Sequence, residues 1–333
     1  MMNNCTIKDI AGKAGVGLAT VSSYLNGGSL REKNRLAIQQ AIDELGYEVN
    51  EVARNLRTQK TRSIGVIVPD FCNSFFMSII TALEDSLRKS GYSMIICDCR
   101  SDVLREKEAI DFLIKKRVDG FVIIPVSTDA ELTDEIAGLG KPFVFVDRTI
   151  AGIDAASVTV DNFDASKRAT LRLIECGHRD IAIIYGNQDV ITAVQRLNGY
   201  KAALQESGIT IDKSLMACGH NTIRGAEIAM QQILDTARPT AVFATNYEMT
   251  VGANIILSKL GVKIPDEISF IGYDNVDYAK AMRPSLTIIT QPAEEMGMVS
   301  AQRIVSLCEN GSSSPQGICL KSTFIEGKSI LKI

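Results

Sequence analysis

Tryptophan is absent from this sequence and histidine occurs only twice, as His178 and His220. So little imidazole leaves scant material for a proton relay or a histidine-rich metal site. The signatures GxSxG, GxGxxG and the phosphate-cradling loop GxxxxGK[ST] are also missing, so neither a nucleophilic enzyme nor a nucleotide enzyme is expected. Eight cysteines (Cys5, Cys72, Cys97, Cys99, Cys176, Cys218, Cys308 and Cys319) are scattered without a CxxC pair. That spacing argues against a metal centre and fits reduced thiols in a cytoplasm. No apolar run approaches the roughly 18–20 residues that span a bilayer, and the first residues show neither a basic n-region nor an apolar h-region. A cytoplasmic chain with no cofactor and no membrane partner is the expectation.

What is present is a chain of 333 residues, long enough for two or three folding units, with 46% hydrophobic and 23% charged residues. The net charge of −3 hides an asymmetry. Residues 1–62 carry 9 Lys and Arg against 6 Asp and Glu, and the rest carry 27 against 33. A basic head on an acidic body suits a polyanion-binding module joined to something else.

The head contains TIKDIAGKAGVGLATVSSYLN, Thr6 to Asn26. Thr6 followed by Asp9 resembles a capping box, with Asp in place of Glu. Ile7, Ile10, Ala11 and Ala14 share one helical face, Gly15 offers the positive φ of a tight turn, and a second helix follows over 19–25. The spacing of Ala11 and Gly15 fits any αα-hairpin as well as a helix-turn-helix. A third helix is expected over 33–45, stopped by Gly46 and closing a three-helix core with Leu36, Ala37, Ala41, Ile42 and Leu45. In YEVNEVARNLRTQKTR, Val49, Ala53 and Leu56 recur at helical spacing. The segment is too short to stand alone in water, so it is either an ordinary linker or a helix that folds on its partner.

From Ser63 the pattern becomes alternating strands and helices. Strands are expected at 64–69, 93–97, 121–125, 143–147, 158–162, 181–185, 241–245 and 268–273. Helices are expected at 75–90, 104–116, 130–139, 165–175, 192–207, 223–234 and 249–260. Two such series imply two doubly wound parallel-sheet lobes with a cleft between them, and ligand-binding loops at the carboxyl ends of strands.

Taken in order, TIKDIA, AGV-x-x-ATVS, AI-x-ELGY, N-x-x-AR-x-LRT, IGVIVPD, VDN, GHRDIA, NGYKAAL, PTAVFATN, VGAN, PDEISFIGYD, RPSLT and QPAEEMG resemble the lactose-repressor (LacI/GalR) family over essentially the whole chain. The resemblance implies an all-α helix-turn-helix domain (1–48), a hinge helix and linker (49–62), and an α/β two-lobed effector domain (63–333) like that of periplasmic binding proteins. It implies lobe 1 over about 63–160 and 292–326, with a helix at 293–308 and a strand at 318–326, and lobe 2 over about 161–291. It further implies a cytoplasmic homodimer that represses transcription from palindromic operator DNA under control of a small, sugar-like effector. Control by a protein docking on lobe 1 is the alternative reading, and a small-molecule-binding protein without a DNA role is a weaker one.

Matching positions gives Thr6 and Asn26 as phosphate contacts with Asn34 as another candidate, and Leu18, Ala19, Thr20, Ser22 and Ser23 at the base-reading face, with Gly17 among the DNA-binding positions at the helix cap. Asn50, Ala53, Arg54 and Leu56 fall on the hinge, with Leu56 as the minor-groove wedge. Gly17 replaces a usual capping Ser. Leu18, Ala19 and Ser23 replace polar or Arg side chains, which shifts the expected readout toward thymine methyls and DNA shape. The effector positions are Asn73, Phe75, Phe76, Asp147, Thr192, Arg196, His220, Asn246 and Asp274, a set suited to a neutral polyol. Two readings stay open here: His220 as a plain surface residue, and Arg196 with Asp274 as a salt bridge between lobes.

Overall fold

The computed structural model describes residues 5–25, 28–47, 60–126, 138, 140–311 and 316–333. The chain divides into two compact units, 1–61 and 62–333.

The first unit holds α1 (Ile7–Ala14), α2 (Leu18–Leu25) and α3 (Glu32–Leu45). Asp9 Oδ2 accepts from both the backbone N–H and the hydroxyl of Thr6, at 2.8 and 2.7 Å, and these bonds hold its carboxyl below the ordinary carboxylate range. Gly15 and Gly46 take φ of 63° and 59°, the left-handed stops that side-chain-free residues adopt without strain. Ile10, Ala11, Val21, Ile38 and Ala41 form the core. Leu36, expected inside, is 57% exposed. The inward stripe of α3 is Ile38, Ala41, Ile42 and Leu45, which follows the i, i+3, i+4, i+7 rule and leaves Leu36 on the opposite face.

The second unit contains two six-stranded sheets. In chain order the first series is β1 (Ser63–Val68), α4 (Ser74–Lys89), β2 (Ser93–Asp98), α5 (Val103–Lys115), β3 (Gly120–Ile123), β4 (Phe143–Val146) and β5 (Ala156–Val160). The second is α6 (Asn162–Glu175), β6 (Ile181–Tyr185), α7 (Ile191–Glu206), β7 (Met216–Cys218), α8 (Ile223–Thr236), β8 (Ala241–Ala244), α9 (Tyr247–Lys259), β9 (Ser269–Tyr273), α10 (Val276–Ala281) and β10 (Thr287–Thr290). Then come α11 (Ala293–Asn310), β11 (Gly317–Leu320) and β12 (Thr323–Ile325).

The strand orders are β11-β5-β4-β3-β1-β2 and β12-β10-β9-β8-β6-β7. Every pairing is parallel except β10 with β12. Strands such as β3, β8 and β9 are buried along their whole length, as parallel strands covered on both faces must be.

The single strand expected over 318–326 is two strands. β11 joins the first sheet beside β5, and β12 joins the second beside β10. The chain therefore passes between lobes three times, after β5, after β10 and after β11. The tail stays with lobe 2, where Ser329 Oγ donates to Phe270 O at 2.6 Å and Ile333 N–H donates to Cys176 O at 2.8 Å. β7 and β10 are strands not expected from the sequence. The expected helix at 130–139 falls almost wholly outside the described residues. No helix among the described residues is long and apolar enough to cross a membrane.

Candidate functional site

Strand ends build the site, because in a parallel sheet the carboxyl ends of the strands open to ligand. A cavity of about 550 Å³ lies between the two sheets of the second unit. All nine sequence-derived positions line it: Asn73, Phe75, Phe76 and Asp147 from lobe 1, and Thr192, Arg196, His220, Asn246 and Asp274 from lobe 2.

Asn73 is the N-cap of α4. Its Oδ1 accepts from the N–H groups of Phe75 and Phe76 at 2.9 and 3.3 Å, while its Nδ2 donates to Glu248 Oε1 of the opposite lobe at 3.0 Å. Asn246 plays the same capping part for α9, accepting from Met249 N–H at 2.7 Å. Thr192 and Arg196 stand four residues apart on α7, hence on one face. Asp147 follows β4 and Asp274 follows β9, both with positive φ, of 65° and 55°. Such left-handed backbone in non-glycine residues costs energy and concentrates at ligand sites.

Arg196 is 7% exposed. Its Nε donates to Asn162 Oδ1 (2.8 Å), Nη1 to Thr245 O (2.7 Å) and Nη2 to Gln291 Oε1 (3.0 Å). The guanidinium also stacks on Tyr273, 4.0 Å from the ring centre. Asp274 accepts from Gln291 twice, at Oδ1 from N–H (3.2 Å) and at Oδ2 from Nε2 (2.8 Å). The reading of a salt bridge between lobes is therefore corrected. Both residues belong to lobe 2, and Gln291 stands between them. Burial pushes the Asp274 carboxyl up to about 6, against the pull of Arg196 and the Gln291 bonds. Burial likewise raises Asp147 and Glu248. His220 lines the cavity with φ of 52°, its Nδ1 2.9 Å from Asn187 Oδ1. His178 lies elsewhere in lobe 2, wedged between Thr240 Oγ1 and Leu331 O at 3.0 Å each, a purely internal position.

Sequence reasoning missed Arg148, Glu248, Gln291, Asn187 and Asn162. Arg148 sits against Asp147, with Nε 3.3 Å from Asp147 Oδ2 but without hydrogen-bond geometry, and its guanidinium lies over Phe76. Its only sequence signal was adjacency to Asp147. Gln291 opens the QPAEEMG motif, and its role became visible only once β10 was found. Tyr247 also lines the cavity and packs edge-on against Tyr278.

The lining carries five carboxylates (Asp70, Asp147, Asp189, Glu248 and Asp274) and two guanidiniums (Arg148 and Arg196). No group of three or more His, Cys, Asp or Glu among the described residues could hold a metal ion.

In the first unit, Leu18 is 48% exposed, and Gly17 and Ala19 are also exposed at the start of α2. Thr20, Ser22 and Ser23 are half-buried along it, while Val21 faces the core. Thr6 is exposed before α1, and Asn34 is half-buried on α3. Asn26, Asn50, Ala53, Arg54 and Leu56 lie outside the described residues.

Residues 6–50 match the model for bacterial regulatory proteins of the lacI family, and residues 61–326 match the model for periplasmic binding proteins and the sugar-binding domain of that family. The HTH-type transcriptional repressor CytR of Escherichia coli (strain K12) is 35% identical over 294 residues, covering 88% of this chain and 86% of that protein. A lac repressor dimer bound to operator and the anti-inducer ONPF superimposes with a TM-score of 0.87 at 26% identity, over 99% of this chain and 100% of that one. The transcriptional regulator CelR in complex with cellobiose gives 0.76 at 30% identity, over 98% and 99%.

Proposed function

This chain belongs to the lacI family of bacterial regulatory proteins, and from that premise we propose how its two units divide the work of a repressor. The protein is a DNA-binding transcriptional repressor under the control of a small effector. Residues 1–61 hold operator DNA, with α2 in the major groove. The cleft of the second unit holds the effector, and two copies of the chain bind a palindromic operator, in keeping with the lac repressor dimer bound to its operator.

The observation that carries the effector assignment is convergence. Nine positions from loops and helix starts of two lobes meet in one cavity of about 550 Å³, a volume within the range of small-molecule sites. Asn246, Asp147 and Asp274 can accept from hydroxyls, Asn246 can also donate, and Phe75 and Phe76 supply an apolar face for a ring. That combination suits a sugar-like ligand, in keeping with the cellobiose held by CelR.

On the DNA side, exposed Leu18 and Ala19 place apolar groups at the reading face, so contact with thymine methyls and local DNA shape carry more of the specificity than bidentate hydrogen bonds. The hinge positions Asn50, Ala53, Arg54 and Leu56 act at the operator centre.

The test is calorimetric, because the chain has no tryptophan to report binding by fluorescence. A sugar present at 100 times its Kd stabilises the protein by about 2.7 kcal/mol. A fragment beginning at Ser63 is expected to keep that shift and to bind no operator. Specific operator binding by the fragment would overturn the division of labour.

A further inference from the structure

The cavity is rich in acceptors, and both of its guanidiniums already make hydrogen bonds within the protein. Arg196 donates to Asn162, Thr245 and Gln291, and Arg148 Nη1 donates to the carbonyls of Pro125 and Val126. Two carboxylate oxygens that line the cleft from opposite lobes, Asp147 Oδ1 and Glu248 Oε2, are buried without a hydrogen-bond partner among the described residues. Asp147 itself is 4% exposed. Arg148 Nε, also buried without a hydrogen-bond partner among the described residues, lies 3.3 Å from the other oxygen of Asp147.

Burial raises the Glu248 carboxyl, and Asp274 and Asp70 add to that against the pull of Arg196. Its other oxygen, Oε1, is held by Asn73 of the opposite lobe. A ligand group reaching Oε2 therefore sits at a side chain that is already bonded across the cleft.

Hydroxyl, phosphate and amine groups meet this corner differently. A hydroxyl offers one donor and no charge, so the repulsion among three carboxylates persists. A phosphate adds negative charge and further acceptors to a lining that already holds five carboxylates against two guanidiniums. A protonated amine offers three donors and a positive charge, meeting both needs at once.

We propose that the effector bears a protonated amine seated against Glu248, so that the cleft selects an amino sugar over its neutral or phosphorylated counterpart. The inference rests on the cleft being the effector site, and the experiment separates the two. The full-length protein is titrated calorimetrically with glucosamine, galactosamine, glucose, galactose and glucose 6-phosphate. Each amino sugar that binds is expected to exceed its neutral partner by about tenfold or more, the worth of one charge-assisted contact, with no binding of the phosphate.

Glu248→Gln keeps an oxygen for Asn73 Nδ2 but removes the charge, and should bring that ratio close to one. Equal binding of glucose and glucosamine, abolished for both by Asp274→Ala, would overturn the amine while leaving the cleft assignment standing. Binding untouched by Asp274→Ala would remove the cleft assignment and the inference together. Failure of every amino sugar to bind overturns the amine as well.

Discussion

Removing Arg196 should destabilise this protein before it does anything else. In Arg196→Ala three acceptors lose their donor: Asn162 Oδ1, Thr245 O and Gln291 Oε1. All three residues are buried, at 2%, 1% and 7% exposure. A buried acceptor left unpaired costs about 1–3 kcal/mol, and the cleft can admit water to these, so the low end applies, roughly 3 kcal/mol for the set. Loss of the guanidinium from the Tyr273 face, 4.0 Å away, adds about 1 kcal/mol. A total near 4 kcal/mol corresponds to a fall in Tm of about 8–12 °C in a unit of this size.

The assay is scanning calorimetry of the ligand-free full-length protein. A Tm within 2 °C of wild type, roughly 1 kcal/mol or less, would refute the reasoning and make Arg196 a ligand group with no internal duty. The expected result also changes how effector assays are read. A dead Arg196→Ala would report a loosened lobe as much as a lost contact.

Asp274 gives a pH prediction. Burial raises its carboxyl from the ordinary 3.8 to about 6, so the folded state holds the proton more tightly than the unfolded chain. That contribution is full below pH 3.8 and is lost as the pH rises through about 6, amounting to about 3 kcal/mol between those limits. Asp274→Asn cannot titrate, so its Tm should gain on wild type between pH 5 and pH 8, and a pH-independent difference would show that the shift is absent. At the hinge, Leu56→Ala is expected to leave Tm unchanged while weakening operator binding and reducing the DNA bend. Identical gel-shift affinities and bend angles for the two proteins would make residues 49–62 a tether only.

The features legible in the sequence were local ones. Gly15 and Gly46 sit where a helix must stop, and Thr6 and Asp9 lie within one turn, so a short window holds the whole cause. The error at Leu36 has the same origin. Several phases of α3 offer apolar residues, and only packing against Ile10 and Val21 selects Ile38. β7 has three residues and β10 four, too few for a periodicity to register. In the cleft, resemblance placed nine residues, yet it did not supply their partners. Glu248 and Gln291 matter because of Asn73, 175 positions from the first, and Arg196, 95 from the second.

The split of the last strand shows why long-range partners were out of reach, and it bears on how the cleft works. Ser322 lies between β11 and β12, and its N–H donates to Asp161 Oδ1 at 2.8 Å, while Arg168 joins Asp161 to the Ser322 hydroxyl. Asp161 belongs to the first passage between lobes and Ser322 to the third. Asn162, beside Asp161, is bonded to Arg196, which is bonded to Gln291 at the second passage, and Gln291 in turn holds Asp274. The polar chain through the cleft thus runs into all three connections between the lobes. A ligand that bonds Asp274 competes with Gln291 for the same oxygens. It would thereby disturb groups that are bonded into the connections between the lobes.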